Sequence, residues 1–184
     1  MSLRNTSTRW GPVARFLHWL FLFLLIGAWY AVEMHEDFPK GSPERREWMQ
    51  LHFAIGISVF VLLWVRLGWR LSGDVPAPLP GPRWQQLTSA LVHAALYLIL
   101  IVMPLTGLLT TQLAGRAVSW FGLIDIPLFL QKNSELAEQM EELHGEVLWP
   151  VLLALVGLHA VAALWHHFVL KDDTLKRMLP FRRS

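Results

Sequence analysis

Four long apolar stretches, 13–32, 49–69, 87–111 and 147–170, decide what solvent this chain folds in. Each approaches or exceeds the ~20 residues that an α-helix needs to cross a ~30 Å hydrocarbon layer. In lipid every backbone N–H and C=O must be satisfied within the segment, which selects helices over strands. Their composition agrees, with Leu, Ala, Phe and Trp all round and no period-2 alternation. Pro12 suits a first helical turn. Pro104 and Pro150 would damage a soluble helix interior but are tolerated in membranes. A short amphipathic turn around 136–143 is expected to lead into the fourth stretch in water. The expected architecture is all-α: a four-transmembrane-helix bundle with helices at about 12–33, 48–70, 86–111 and 138–170, forming a single membrane domain over 1–184.

Charge sets the orientation. Only 16% of the 184 residues are charged, against about a quarter in soluble domains. Arg4, Arg9, Arg15, Arg66, Arg70, Arg83, Lys171, Lys176, Arg177, Arg182 and Arg183 all fall at one end of the expected bundle. The other end has Lys40, Arg45, Arg46, Arg116 and Lys132 beside ten carboxylates in 33–47 and 125–142. The positive-inside rule then places both termini in the cytoplasm and the two acidic loops outside, as an even number of crossings also requires. The first stretch is long, contains Arg15 and His18, and lacks a small-x-small cleavage site, so it reads as a retained helix. The Pro- and Gly-rich segment 72–83 is an extended cytoplasmic turn. The outer loop 114–133, with Trp120, Phe121 and Phe129, is amphipathic enough to lie along the membrane surface. There is no cysteine, which removes disulfides, thiolate nucleophiles, iron–sulfur clusters and c-type haem attachment.

Seven of the eight histidines lie within or at the ends of the expected helices: His18, His52, His93, His144, His159, His166 and His167. Ionisable side chains in a bilayer are costly and face the bundle interior or a wet cavity. They sort into two levels. His52 and His144 belong to the outer ends of helices 2 and 4, and His18 to the cytoplasmic half of helix 1. His159 follows His144 by 15 residues, about 22 Å along a helix and about 60° from four full turns, an offset that Pro150 can adjust. Two imidazole pairs at two depths suit two six-coordinate b-type haems, the outer held by His52 and His144 and the inner by His18 and His159. Zinc and copper are disfavoured without thiolates or an H-E-x-x-H run. Gly56 and Gly157 leave room for a macrocycle or, alternatively, for close helix packing.

The motifs R-F-L-H-W (15–19), H-F-A-I-G (52–56), H-A-A-L-Y-L-I-L-I-V-M-P-L-T-G (93–107), W-F-G (120–122) and L-H-A-V-A-A-L-W-H-H-F-V-L-K-D-D-T-L-K-R-M-L-P (158–180) span the chain. Together they resemble the bacterial cytochrome b561 family. The resemblance implies an integral membrane dihaem cytochrome b of the bacterial inner membrane. Its haem-ligand positions fall at His18, His52, His144 and His159; His93 also occurs in such proteins but is not usually a ligand. Length and tail are similar to the branch that oxidises periplasmic superoxide to dioxygen and passes the electron to ubiquinone. Other members serve as electron-transfer subunits for protein or small-molecule donors, which is the alternative function here. A histidine-lined transporter is a remoter one.

Within that frame His166 lies on the same face as His159, about 10 Å nearer the cytoplasm. It is a candidate quinone-binding residue, with a haem-propionate contact or an interfacial place as the alternatives. His167 points elsewhere. Arg15, Arg66 and Arg70 lie at the inner level, where one or two can anchor propionates. Arg116, just before W-F-G, is a candidate for an outer propionate and for steering an anion such as superoxide, or is a plain loop arginine. The expected partners are membrane lipid, a quinone and superoxide or another small donor, with no nucleic acid.

Overall fold

The computed structural model describes residues 3–179; Pro180, Arg182 and Arg183 of the basic tail lie outside the described residues. The long helices are α1 (Pro12–Asp37), α2 (Pro43–Leu71) and α3 (Arg83–Ala114). The fourth is one continuous rod built of α4 (Ser134–Glu142), a π-helical turn (Leu143–Leu148) and α5 (Trp149–Phe168). All four are long and apolar enough to cross a membrane. Local chemistry sets their ends. Pro12 and Pro43 occupy first turns, where a missing N–H costs nothing. Ser42 and Asn133 cap α2 and α4 by accepting from the N–H groups of Arg45 and Leu136. Gly115, at φ 68°, ends α3 in the left-handed conformation that glycine adopts without strain. The helices outrun the apolar stretches at this end, α1 reaching Asp37 and α2 starting at Pro43, because capping and hydrogen bonds in water stabilise further turns. The remaining histidine, His35, helps close that corner, its Nδ1 2.7 Å from the Arg45 carbonyl oxygen.

The core is small and lies to one side. Phe21, Ile55, Val59 and Leu63 form its buried centre, flanked by Leu24, Ala28, Leu51, Tyr97 and Leu100 from α1, α2 and α3. The fourth rod contributes little, and Leu152 is the buried residue of α5. In lipid such asymmetry carries no hydrophobic penalty, since lipid tails are as apolar as leucine. α1 packs closely on α2, α2 on α3, and α3 on α4 and α5. Neither α1 with α5 nor α2 with the π turn is among the close backbone packings.

The outer loop folds into an antiparallel hairpin, β1 (Val118–Trp120) with β2 (Ile124–Ile126), packed on α2. Two glutamines clamp the loop. Gln50 donates to the Ala117 carbonyl (3.0 Å) and accepts from the Ser119 N–H (3.2 Å). Gln112 donates to the Pro127 carbonyl (3.1 Å) and accepts from the Phe129 N–H (2.9 Å). Trp120 reaches down α2 and donates to Ser58 Oγ at 3.0 Å. One expectation needs correction, the source of the rotation in the fourth rod. The adjustment lies in the π turn ahead of Pro150, where the Trp149 N–H reaches back five residues to the His144 carbonyl. A π turn holds more residues than an α turn, which absorbs the angular excess of the 15-residue spacing.

The opposite end is closed by the chain's own termini. The Ala77 N–H donates to the Ser7 carbonyl at 2.8 Å, and Arg177 donates to the Ala77 carbonyl at 2.9 Å. Residues 170–179 turn back beneath the helices, with Lys171 in the left-handed region at φ 55°.

Candidate functional site

At the hairpin end, His52 on α2 faces His144 in the π turn, with ring centroids 6.1 Å apart and planes at 85°. Both rings are pinned through Nδ1. His52 Nδ1 lies 2.9 Å from the Ala28 carbonyl oxygen and His144 Nδ1 2.9 Å from that of Met103. A carbonyl can only accept, so the proton sits on Nδ1 in each ring and Nε2 keeps its lone pair. That is the tautomer and support of a metal-binding imidazole. Two imidazoles sharing one metal at about 2.0–2.1 Å per bond bring their ring centroids to roughly 6 Å. Gly107 is what lets His144 occupy this place. A Cβ there would stand 3.0 Å from His144 Cε1 and 3.3 Å from its Nδ1. Sequence reading missed Gly107, whose signal was its place in the same run as Pro104 and Thr106. Gly56 and Gly157 have open space where a Cβ would go, so close helix packing is not the reason for either.

At the tail end, His18 on α1 faces His159 on α5 across 6.0 Å, with planes at 63°. His93 on α3, for which no role is expected above, joins them edge-on, 5.2 Å from His159. Its Nδ1 donates to the Ser89 carbonyl at 2.6 Å. Two guanidinium groups lie at this end, Arg66 close to the cluster. Arg66 donates through Nε to the Tyr97 hydroxyl at 3.3 Å and lies 5.6 Å from the centre of the Phe21 ring. Arg15 donates to the Leu179 carbonyl at 2.9 Å. Among the described residues, Arg15 Nε and Arg66 Nη1 are nonetheless buried without a partner. Buried unpaired N–H groups on a cation are expensive, and the carboxylates of a haem are acceptors of the kind that would complete them. On these grounds both histidine pairs and the two orphaned guanidinium nitrogens fit b-type haem.

The other expected residues are placed less centrally. Arg70 stacks over the Trp10 ring at 5.5 Å. Arg116 lies at the rim of a hollow of about 600 Å³ lined by Lys132, Glu138, Glu141, Glu142 and Glu146, 3.9 Å from the Glu141 carboxylate. His167 has a buried Nδ1 without a partner among the described residues. His166 is tied to the returning tail: its Nδ1 lies 2.5 Å from Asp172 Oδ2 and 3.3 Å from Thr174 Oγ1. Burial alone would raise the Asp172 pKa, but hydrogen bonds from His166 and Thr174 outweigh it and hold the carboxyl below the usual aspartate range.

A family model described as prokaryotic cytochrome b561 matches residues 9–181. The chain belongs to that family. It is therefore a membrane cytochrome of the b type, a multi-pass bacterial membrane protein whose work is electron transfer. It is 33% identical over 177 residues to cytochrome b561 homolog 1 of Escherichia coli K12, covering 95% of this chain and 99% of the relative. It is 34% identical to cytochrome b561 homolog 2 of the same strain, covering 97% and 95%. A protein of Yersinia pestis named probable superoxide oxidase CybB is 37% identical over 175 residues, covering 91% of this chain and 94% of its own.

Proposed function

We propose that this chain holds two haem b groups, one between His52 and His144 and one between His18 and His159, and that it oxidises superoxide at one membrane face and reduces ubiquinone at the other. The observation that carries this reading is the pair of imidazole couples at 6.1 and 6.0 Å at opposite ends of one helical quartet. When bound there, haem supplies reversible one-electron storage at both depths of the membrane. The chain's own residues do the rest. Ala28 and Met103 fix the tautomer of the hairpin-end pair. Arg15 and Arg66 hold carboxylates at the tail end, and His166 hydrogen-bonds the quinone there. The clustering of Arg and Lys at the tail end supports a cytoplasmic position for it and for both termini. That makes the hairpin face periplasmic and the whole chain one membrane domain. The stoichiometry is two superoxide anions oxidised to two dioxygen molecules, with two electrons and two protons converting one quinone to quinol.

Pulsing haem-loaded protein with superoxide, in the presence of a water-soluble ubiquinone analogue, tests this reading. Sharp α and β bands should rise and then decay only when quinone is added. Bands that stay oxidised under superoxide, yet appear with dithionite, would overturn the donor assignment.

One observation favours a second reading, in which a cationic or protein donor replaces superoxide. The hollow beside Arg116 carries four glutamates, a field that repels an anion. Raising salt should then slow reduction by such a donor, whereas reduction by a repelled anion should accelerate.

A further inference from the structure

The last turn of α5 and the tail that returns beneath it build a hydrogen-bonded relay which the pairing of histidines does not use. We infer that Asp172 is a positioning residue for quinone reduction: it holds His166 with Nε2 free, so that this nitrogen delivers one of the two protons that complete the quinol. This rests on the quinone site proposed above and adds the proton source.

The geometry is specific. Asp172 Oδ2 accepts from the His166 Nδ1–H at 2.5 Å, while Oδ1 of the same carboxylate accepts from the Thr174 N–H at 2.8 Å. The Asp172 N–H in turn donates to the His166 carbonyl at 3.1 Å, closing a ring between the helix end and the tail. Lys171 takes the left-handed conformation (φ 55°) at the reversal that leads into Asp172. A non-glycine residue at such an angle is uncommon and persists where surrounding contacts hold it.

The chemistry follows from which nitrogen is occupied. With Nδ1–H committed to a carboxylate, neutral His166 presents a lone pair at Nε2 and takes up a proton there from water. A quinone carbonyl accepting from Nε2–H then receives that proton as the ring fills with two electrons. His166 returns to the neutral Nδ1–H tautomer, and the second proton comes from solvent. Both side chains are about one-quarter exposed, so water can reload the pair.

Other titratable groups at this end are otherwise engaged or lie on the flanks. Asp173 pairs with Lys176 at 3.1 Å, and Arg15 bonds the Leu179 carbonyl. His167 and Lys171 flank the pair in sequence.

Two measurements on the haem-loaded full-length protein test the proposal separately from the quinone site. Nitrogen-15 NMR of labelled histidines should place the neutral His166 proton on Nδ1 in the parent. In Asp172→Asn, whose amide can donate to Nδ1, it should move to Nε2. In stopped flow, dithionite-reduced protein is mixed with a ubiquinone analogue across pH 5.5–8.5, a range around the ordinary histidine pKa of about 6.5. Asp172→Asn should slow oxidation by about tenfold to a hundredfold, in keeping with the weight of positioned acid catalysis. It should also displace the pH profile, with the analogue's KM little changed. His166→Gln should be equally slow, and the double variant no slower than either. The dithionite-reduced α band, at parental intensity, confirms folding in each variant. An Nε2–H tautomer in the parent, or additive losses in the double variant, overturns the relay and leaves the quinone site standing. Parental rates in His166→Gln remove the quinone site from this end and the relay with it.

Discussion

The two histidine pairs have nearly the same separation and very different surroundings. At the hairpin end, each ring is locked to a backbone carbonyl, and α3 gives up a side chain at Gly107 so that His144 can approach. At the tail end, neither His18 nor His159 has a hydrogen bond among the described residues; a third imidazole lies against His159 instead, with the charge of Arg66 close by. One pair is oriented by the backbone, the other by packing and charge. Similar spacing can therefore be reached by two routes, and these should give centres of different rigidity and different affinity for an electron.

The largest effects test whether the pairs are separate sites. Replacing His52 or His144 by Ala should remove about half of the haem measured per polypeptide, and so should replacing His18 or His159. His93→Ala should retain it all. A variant lacking His93 that loses half its haem, beside a His18→Ala that keeps it, would reassign the tail-end pair to His93 and His159.

Gly107→Val sharpens the contrast next. Its Cβ would enter the space of the His144 ring, and overpacking of this kind costs about 1–3 kcal/mol. The hairpin-end centre should weaken while the tail-end one keeps its spectrum, as seen in low-temperature reduced-minus-oxidised spectra. An equal loss at both ends would mean that Gly107 serves the bundle as a whole.

A smaller effect concerns potentials. Hydrogen bonds to Nδ1–H raise the basicity of a ligating imidazole and favour oxidised iron, whereas nearby guanidinium groups favour the reduced form. The hairpin-end centre should therefore have the lower midpoint potential, making electron flow towards the tail end downhill. A redox titration of His52→Ala, which keeps only the tail-end centre, should show the higher of the two parental midpoints alone. The reverse order would break the comparison.

The smallest effect is a pH response confined to the tail. The native pKa of Asp172 lies below its unfolded value, so its bonds favour the docked tail above the ordinary aspartate range. That contribution fades as acid protonates the carboxyl. Amide exchange in 170–179 should quicken on acidification relative to α3, beyond the intrinsic pH trend, and Asp172→Asn should abolish the extra response.

Much of this architecture was legible in the chain itself. Hydropathy revealed four crossings, because a membrane imposes one length and one backbone solution. Histidine spacing revealed both couples, because depth along a helix is simple arithmetic. Other features depended on contacts between distant residues. The hairpin's strands are three residues each, too short for a periodic signal, and it is held by Gln50 and Gln112 from two separate helices. Gly107 looked like one small residue among many in an apolar run until His144 was set against it. The tail motif K-D-D-T stood out without revealing its role, since nothing local says that Asp172 curls back onto His166.

The π turn between α4 and α5 has a consequence for how such a protein can change. A wide loop of backbone inside a rod works as a slack link. One residue can be gained or removed there while the segments above and below keep their aim. Shortening 143–148 by one residue should tighten the link into an ordinary turn and leave the imidazoles at the two depths facing the sides they face now.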